Sequence, residues 1–445
     1  MLICAPFTSR SGYGDHARDL FHSFYNSNKF DIKLFDVRWG DCPRNALDPF
    51  NQKDKKIIDC ILPTPTVDRQ PDVYVDIRIP NEFQNFGKYN IGITAGIETN
   101  AVSQKWMEGC NKMDLIIVPS EHSKSGFVES VYDKIQTLPD GQQQKIGEVK
   151  LEKPIEVLFE GVDLDNYKIL KGNDFKFEIS KKINEDITED FAFLHVGQWG
   201  KGGFGEDRKD IGRMLKIFYE SFANKKKQPA LILKTNGASF SIIDKDECIN
   251  KIKQIKNLFP KDWNLPNVYL LHGDFSVDEM NELYNHPKIK SMVSLTHGEG
   301  FGRPLLEATM VGLPVIASNW SGQVDFLDTE NSLLLPGSLK QVPKSVVWKD
   351  IIIEESKWFV ADETNVYKTL NYCFEEYKNV KNKANKLMKI NREKFSLDKM
   401  TDKLVEILDK YLGSLPTEVG LKLPKLKKVT KDEKPKIKLP KLKKV

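Results

Sequence analysis

Residues 294–325 read SLTHGEGFGRPLLEATMVGLPVIASNWSGQVD. The apolar run Ser291–Leu295 reads as a strand and leads into the glycine-rich loop His297-Gly298-Glu299-Gly300-Phe301-Gly302. Pro304 then stands where the first turn of a helix accepts proline, because the missing N–H would have no partner there. Glu307 lies one turn further in. The pattern is strand, loop, helix, with one carboxylate at the C-terminal end of a strand and a second on the helix that follows. Glycines between them let backbone amides approach a ligand at the positive end of a helix dipole. Open α/β sheets bind ligands at that edge. A diphosphate is favoured by the amides, and a carboxylate accepts two hydrogen bonds from the vicinal hydroxyls of a ribose or hexose.

Outward from this stretch, short apolar runs alternate with amphipathic ones. Strands are expected at Leu2–Ala5, Ile32–Asp36, Val73–Ile77, Tyr89–Thr94, Leu115–Pro119 and Glu156–Phe159, and again at Ala192–Val196, Ala230–Lys234, Val268–Leu271, Ser291–Leu295 and Pro314–Ala317. Helical patterns lie between many of them, such as Asp15–Tyr25, Ser120–Val131, Ile211–Ala223, Val277–Tyr284 and Pro304–Val311. That alternation predicts α/β architecture with two parallel, doubly wound sheets. At 445 residues the chain exceeds one usual hydrophobic core. The charged stretch Leu170–Asp190 reads as the linker.

Composition narrows the class. With 40% hydrophobic and 29% charged residues the chain fits a soluble globular protein, and it has no apolar run of the length a membrane helix needs. The first residues, Met1 to Pro6, are too short an apolar stretch for a signal peptide, so cytoplasmic residence is expected. Six cysteines without CxxC spacing argue against structural zinc and a disulfide framework. The net charge of +4 conceals an asymmetry: residues 421–445 hold eleven lysines against Asp432 and Glu433, a local charge of +9, which leaves −5 on residues 1–420. The octapeptide KLPKLKKV at 422–429 recurs at 438–445. Its prolines and scarce large apolar groups predict disorder. Such a tail could contact an anionic surface or polyanion and hold the protein peripherally at a membrane. It could equally be a solvated extension.

Glu299 and Glu307 enclose seven residues, and this segment resembles the EX7E signature of retaining family-4 (group 1) glycosyltransferases. The likeness continues through EATMVGLPVIAS into SGQVDFL, where the family usually has a Gly-Gly pair and then Glu, and upstream through NVYLLHGDFSVDEMNELY. It is strong from about residue 190 to 330 and weaker over 1–165. It implies the GT-B fold, two Rossmann-like domains facing each other across a cleft. The boundaries expected are 1–185 for an acceptor-side domain, 186–390 for a nucleotide-sugar-binding domain, 391–415 for a terminal helix packing back on the first domain, and 416–445 for the tail.

The resemblance also implies roles. Glu307 would hold the donor's ribose, and Glu299 would contact the transferred sugar. Gly300, Phe301 and Gly302 would lie at the sugar and diphosphate. Arg208 and Lys209 match the family's cationic element and would neutralise the diphosphate, although Gln198 stands where arginine is common. Lys234, at a strand end, is a third cation. Gly12 and Gly14 follow the first strand in a loop suited to a phosphate or acceptor. Where relatives place a histidine, this chain offers Glu98, Asn100 or His122 on the acceptor side. No metal and no resident cofactor are expected, since Asp163-Leu164-Asp165 resembles the family's GVD loop more than a metal site. The co-substrate would be a nucleoside diphosphate sugar and the acceptor an unidentified glycan, lipid or protein. Two rival readings are a phosphorylase of the same fold, which would show a pyridoxal-phosphate absorbance, and a catalytically silent binding or scaffold protein.

Overall fold

The computed structural model describes residues 1–138, 142–237 and 239–413. The readings made for the tail, 416–445, fall outside them.

Strands β1 (Leu2–Ala5), β2 (Lys33–Asp36), β3 (Val73–Ile77), β4 (Tyr89–Ile93) and β5 (Leu115–Val118) are followed by a hairpin, β6 (Tyr132–Thr137) and β7 (Gln143–Val149), and by β8 (Ile155–Val157). The first sheet has the order β2-β1-β3-β4-β5-β8, all parallel. The second half supplies β9 (Ala192–Val196), β10 (Ala230–Lys234), β11 (Val268–Leu271), β12 (Ile289–Ser294), β13 (Val315–Ser318) and β14 (Leu333–Leu335). These form a second parallel sheet, β11-β10-β9-β12-β13-β14. A two-stranded antiparallel ribbon joins β15 (Gly337–Gln341) to β16 (Lys357–Ala361). Each six-stranded sheet carries the order reversal that opens a crevice at the C-terminal ends of its strands.

Most of the central strands' length is buried, as parallel sheets covered on both faces require, and every residue of β1, β3, β5 and β13 is buried. The covering helices are amphipathic. In helix Ile211–Phe222, Ile211, Met214, Leu215, Phe218 and Phe222 recur at helical spacing and join the core with Phe193, Leu231 and Val293 of the strands.

Three features differ from the sequence expectation. Residues 170–190 contain helix Glu178–Asp186. Ile179, Ile183 and Ile187, four apart, place one apolar face in the core of the second sheet beside Leu283 and Tyr284, and the buried Glu282 accepts from Phe177 N–H and from Ser180 Oγ at 2.6 Å. A charged outer face hid a packed helix. The β6–β7 hairpin went unread because it is exposed on both faces and so shows no apolar alternation. The β15–β16 ribbon is held by long-range pairing that local pattern does not encode.

After the second sheet the chain returns to the first. Val162 N–H donates to Phe395 O and Leu397 N–H to Val162 O, while Thr401 Oγ1 bonds Ser23 Oγ at 2.9 Å. Met400 and Leu404, on helix Leu397–Leu412, are buried.

Candidate active site

The loop after β12 leaves no room for a side chain at Gly298 or Gly300. A Cβ on Gly298 would lie 2.0 Å from Glu98 O, and one on Gly300 would lie 1.9 Å from Ala95 O. The residues met are the backbone of the loop after β4, so the two sheets' lobes touch here, main chain to main chain. Ser120 Oγ adds a 2.6 Å bond to Gly300 O from the same side. Gly302 turns the chain into helix Arg303–Met310 with φ of 99°, a left-handed conformation that suits glycine.

Glu299 sits in this loop, 8% exposed. Its N–H donates to Ser321 Oγ at 2.9 Å and its carbonyl accepts from Gly322 N–H at 3.0 Å. Its carboxylate is ion-paired with Lys209 and, at 3.1 Å, with Arg208. Burial alone would raise this carboxyl, but Lys209 first and then Arg208 outweigh it and hold it down at about 2. The group is therefore ionised throughout the physiological range. Both cations come from the loop after β9, which is itself braced: Arg208 O accepts from His297 N–H at 2.8 Å, and the His297 ring stacks on Trp358 of β16 at 4.3 Å. Arg208 also reaches Gly298 O at 3.0 Å and Glu98 of the first lobe at 3.6 Å.

Glu307 occupies a second, separate environment. Arg303, one turn earlier, donates from Nε to Oε1 at 3.0 Å, and Tyr284 Oη donates to Oε2 at 3.2 Å. Burial pushes this carboxyl up, against the Arg303 charge. Arg303 Nη1 in turn pairs with Asp19 on helix Gly12–Asn26.

The other expected residues divide. Lys234 Nζ bonds Gly273 O at 2.8 Å and lies over the Phe275 ring at 4.8 Å, beside Asp274, which pairs across the lobes with Arg10 at 3.4 Å. Gln198 turns to Gly237 O at 2.7 Å. The Phe301 side chain is in the core against Phe326, so only its main chain is available to a ligand. Gly12 has open space around it, whereas Gly14 has Ser9 O only 2.4 Å from a Cβ position and serves close packing. Asn100 exchanges hydrogen bonds with the Lys357 backbone. His122 packs edge-on to Trp320, and its Nε2 is buried without a partner. Asp163 is paired with Lys53. Among the described residues no group of three or more His, Cys, Asp or Glu is arranged to hold a metal ion, and no helix is long and apolar enough to cross a membrane. Arg303, Tyr284, Ser321 and Asp19 were missed. Of these only Arg303 was signalled, by its i,i+4 spacing to Glu307.

Residues 215–341 match the family model described as glycosyl transferases group 1, a span that contains both glutamates. Among solved structures, sucrose-phosphate synthase from Thermosynechococcus elongatus is similar at 12% identity and a TM-score of 0.60, over 93% of this chain and 98% of that one. HepE from Anabaena, solved with UDP-glucose, is similar at 14% identity and a TM-score of 0.54, over 92% and 99%. The UDP-forming α,α-trehalose-phosphate synthase of Burkholderia xenovorans, solved with glucose-6-phosphate, is similar at 10% identity and a TM-score of 0.52, over 77% and 74%. No curated protein sequence matches. The fold is GT-B, and its second half carries a group 1 glycosyltransferase domain.

Proposed function

We propose that this glycosyltransferase is a retaining enzyme that moves a sugar from a nucleoside diphosphate sugar to an acceptor hydroxyl, without a metal ion. The observation that carries the reading is the buried Glu299 held between Lys209 and Arg208 at the C-terminal end of β12, with Glu307 on the helix that follows. Residues 1–185 are assigned to the acceptor side and 186–390 to the donor side.

In this reading Glu307 accepts hydrogen bonds from the ribose hydroxyls. The diphosphate enters beside Lys209 and Arg208 and draws both cations from Glu299, which is then free to accept from hydroxyls of the sugar. As the bond from the anomeric carbon to the phosphate oxygen breaks, positive charge develops on the sugar ring and negative charge on the diphosphate. The two cations and the loop amides are already oriented toward that negative charge, so little reorganisation is needed. The acceptor oxygen attacks the anomeric carbon on the face the diphosphate leaves, and its proton passes to the departing phosphate oxygen. The products are the glycoside and a nucleoside diphosphate. Glu98, linked to Arg208, together with Asn100 and His122, lines the acceptor approach.

The test is a binding and hydrolysis screen of UDP-, GDP- and ADP-sugars in EDTA, on the wild type and Glu307→Ala. Saturable binding of one donor that the variant loses, with slow release of nucleoside diphosphate, is the expected result. Equal binding by both proteins would reject the nucleotide site. Binding without any turnover would select the silent reading that Gln198 motivates.

A further inference from the structure

The second sheet ends at β14, whose outer edge pairs with no further strand among the described residues. Helix Glu363–Glu375 packs Val366 and Leu370 into the same core as Phe193 and Leu231. Helix Tyr377–Lys394 sends Leu387 into the core that holds Leu305 and Leu306. Between these helices and the strand edge lies a cavity of about 310 Å³. Small-molecule sites run from roughly 300 to 1,000 Å³. The cavity walls share no residue with the cluster around Glu299 and Glu307.

Those walls are cationic and rich in hydroxyls. Lys368 and Thr369 come from the first helix, Lys383 from the second, and Thr329 and Ser332 from the segment before β14. Among the described residues neither lysine is ion-paired, and no carboxylate lines the cavity. Helix Tyr377–Lys394 raises the local potential further, with six lysines and Arg392 against Glu393 alone. Two ammonium groups in one concavity repel each other until an anion joins them. Ser332 is a second, independent sign. It is 6% exposed, and its Oγ is buried without a hydrogen-bond partner among the described residues. A buried hydroxyl left so costs the fold free energy that a bound partner offsets.

A phosphate dianion suits two ammonium groups, each a point charge with three donors. The hydroxyls of Thr329, Thr369 and Ser332 both donate and accept, which suits the hydroxyls of a polyol. A bare phosphate would leave those groups unused. We propose that this cavity is a second ligand site, separate from the catalytic cleft, that binds a phosphate monoester of a sugar or similar polyol. Lys368 and Lys383 hold the phosphate, and the three hydroxyl side chains hold the carbon skeleton. The inference stands apart from the donor-site assignment.

Isothermal titration calorimetry on the full chain tests it, with glucose 6-phosphate, ribose 5-phosphate, glycerol 3-phosphate, inorganic phosphate and glucose at one low ionic strength. The proteins are wild type, Lys368→Gln/Lys383→Gln, Lys368→Arg/Lys383→Arg, Ser332→Ala and Lys209→Met. Saturable binding of at least one ester, tighter than inorganic phosphate and absent for glucose, is the expected result. The glutamine pair should weaken it about a hundredfold, about tenfold for each charge-assisted contact, with an unchanged melting temperature. The arginine pair keeps most of the affinity, Ser332→Ala loses a few-fold, and Lys209→Met binds as the wild type does. No saturable binding by the wild type overturns the proposal. So does binding that survives in the glutamine pair, or that Lys209→Met loses, since either places the ligand elsewhere. Inorganic phosphate bound as tightly as its esters overturns the ligand class.

Discussion

Replacing Lys209 by methionine keeps most of the side chain's length and removes its charge. Glu299 is held from 4.5 down to about 2 even though its burial pushes the other way. That depression corresponds to about 3 kcal/mol of favourable interaction with the ionised form. Lys209 is the larger of the two cationic contributions; burial holds its own ammonium below its usual value and offsets part of that gain, but removing it leaves the buried carboxylate to Arg208 alone, so a loss of about 1–2 kcal/mol of stability is expected at pH 7. The sign follows from linkage. The lowered carboxyl stabilises the fold fully above its unfolded value of 4.5, and the benefit is lost as pH falls from there toward 2. The variant should therefore differ from wild type most at neutral pH and least in acid. Catalysis loses more, because one of two cations facing the leaving diphosphate is gone: a fall in kcat of about a hundred- to a thousandfold is expected. Urea unfolding at pH 7 and pH 3, with nucleoside diphosphate release as the activity assay, checks both. Unchanged kcat in a folded Lys209→Met protein refutes the role given to the cation. Unchanged stability at pH 7 refutes the electrostatics.

Two further outcomes follow from the same geometry. Gly300→Ala places a methyl 1.9 Å from Ala95 O, so the lobes must part. A loss of about 1–3 kcal/mol is expected from overpacking, with near-complete loss of transfer, read by thermal unfolding and product release. Glu160 is pushed up to about 8 by burial, with Asp19 and Asp15 adding to the effect and Arg303 opposing it. The native state thus prefers the protonated acid, and stability contributed by this group declines as pH rises from 4.5 to about 8. Glu160→Gln should remove that decline, matching wild type near pH 4 and exceeding it by a few kcal/mol at pH 8 in urea titrations.

Much of this was legible because it is local. The alternation of apolar runs with amphipathic stretches is dictated by burial on both faces of parallel strands, and the runs Leu2–Ala5, Val73–Ile77, Ala192–Val196 and Ala230–Lys234 coincide with strands residue for residue. The glycine loop, the proline at the helix start and the seven-residue interval between Glu299 and Glu307 are likewise properties of a contiguous stretch. Where a polar outer face masked an inner one, as at Ile179 and Ile183, local reading failed. What only tertiary structure decided are the partners. Arg208 and Lys209 lie about ninety residues before Glu299. Asp19 lies 284 residues before Arg303, on the other lobe. The backbone that forces glycine at 298 and 300 belongs to Ala95 and Glu98. Charge pairing and steric exclusion act through space. A sequence shows which side chains can ionise and where the chain can bend, but folding selects which of them meet.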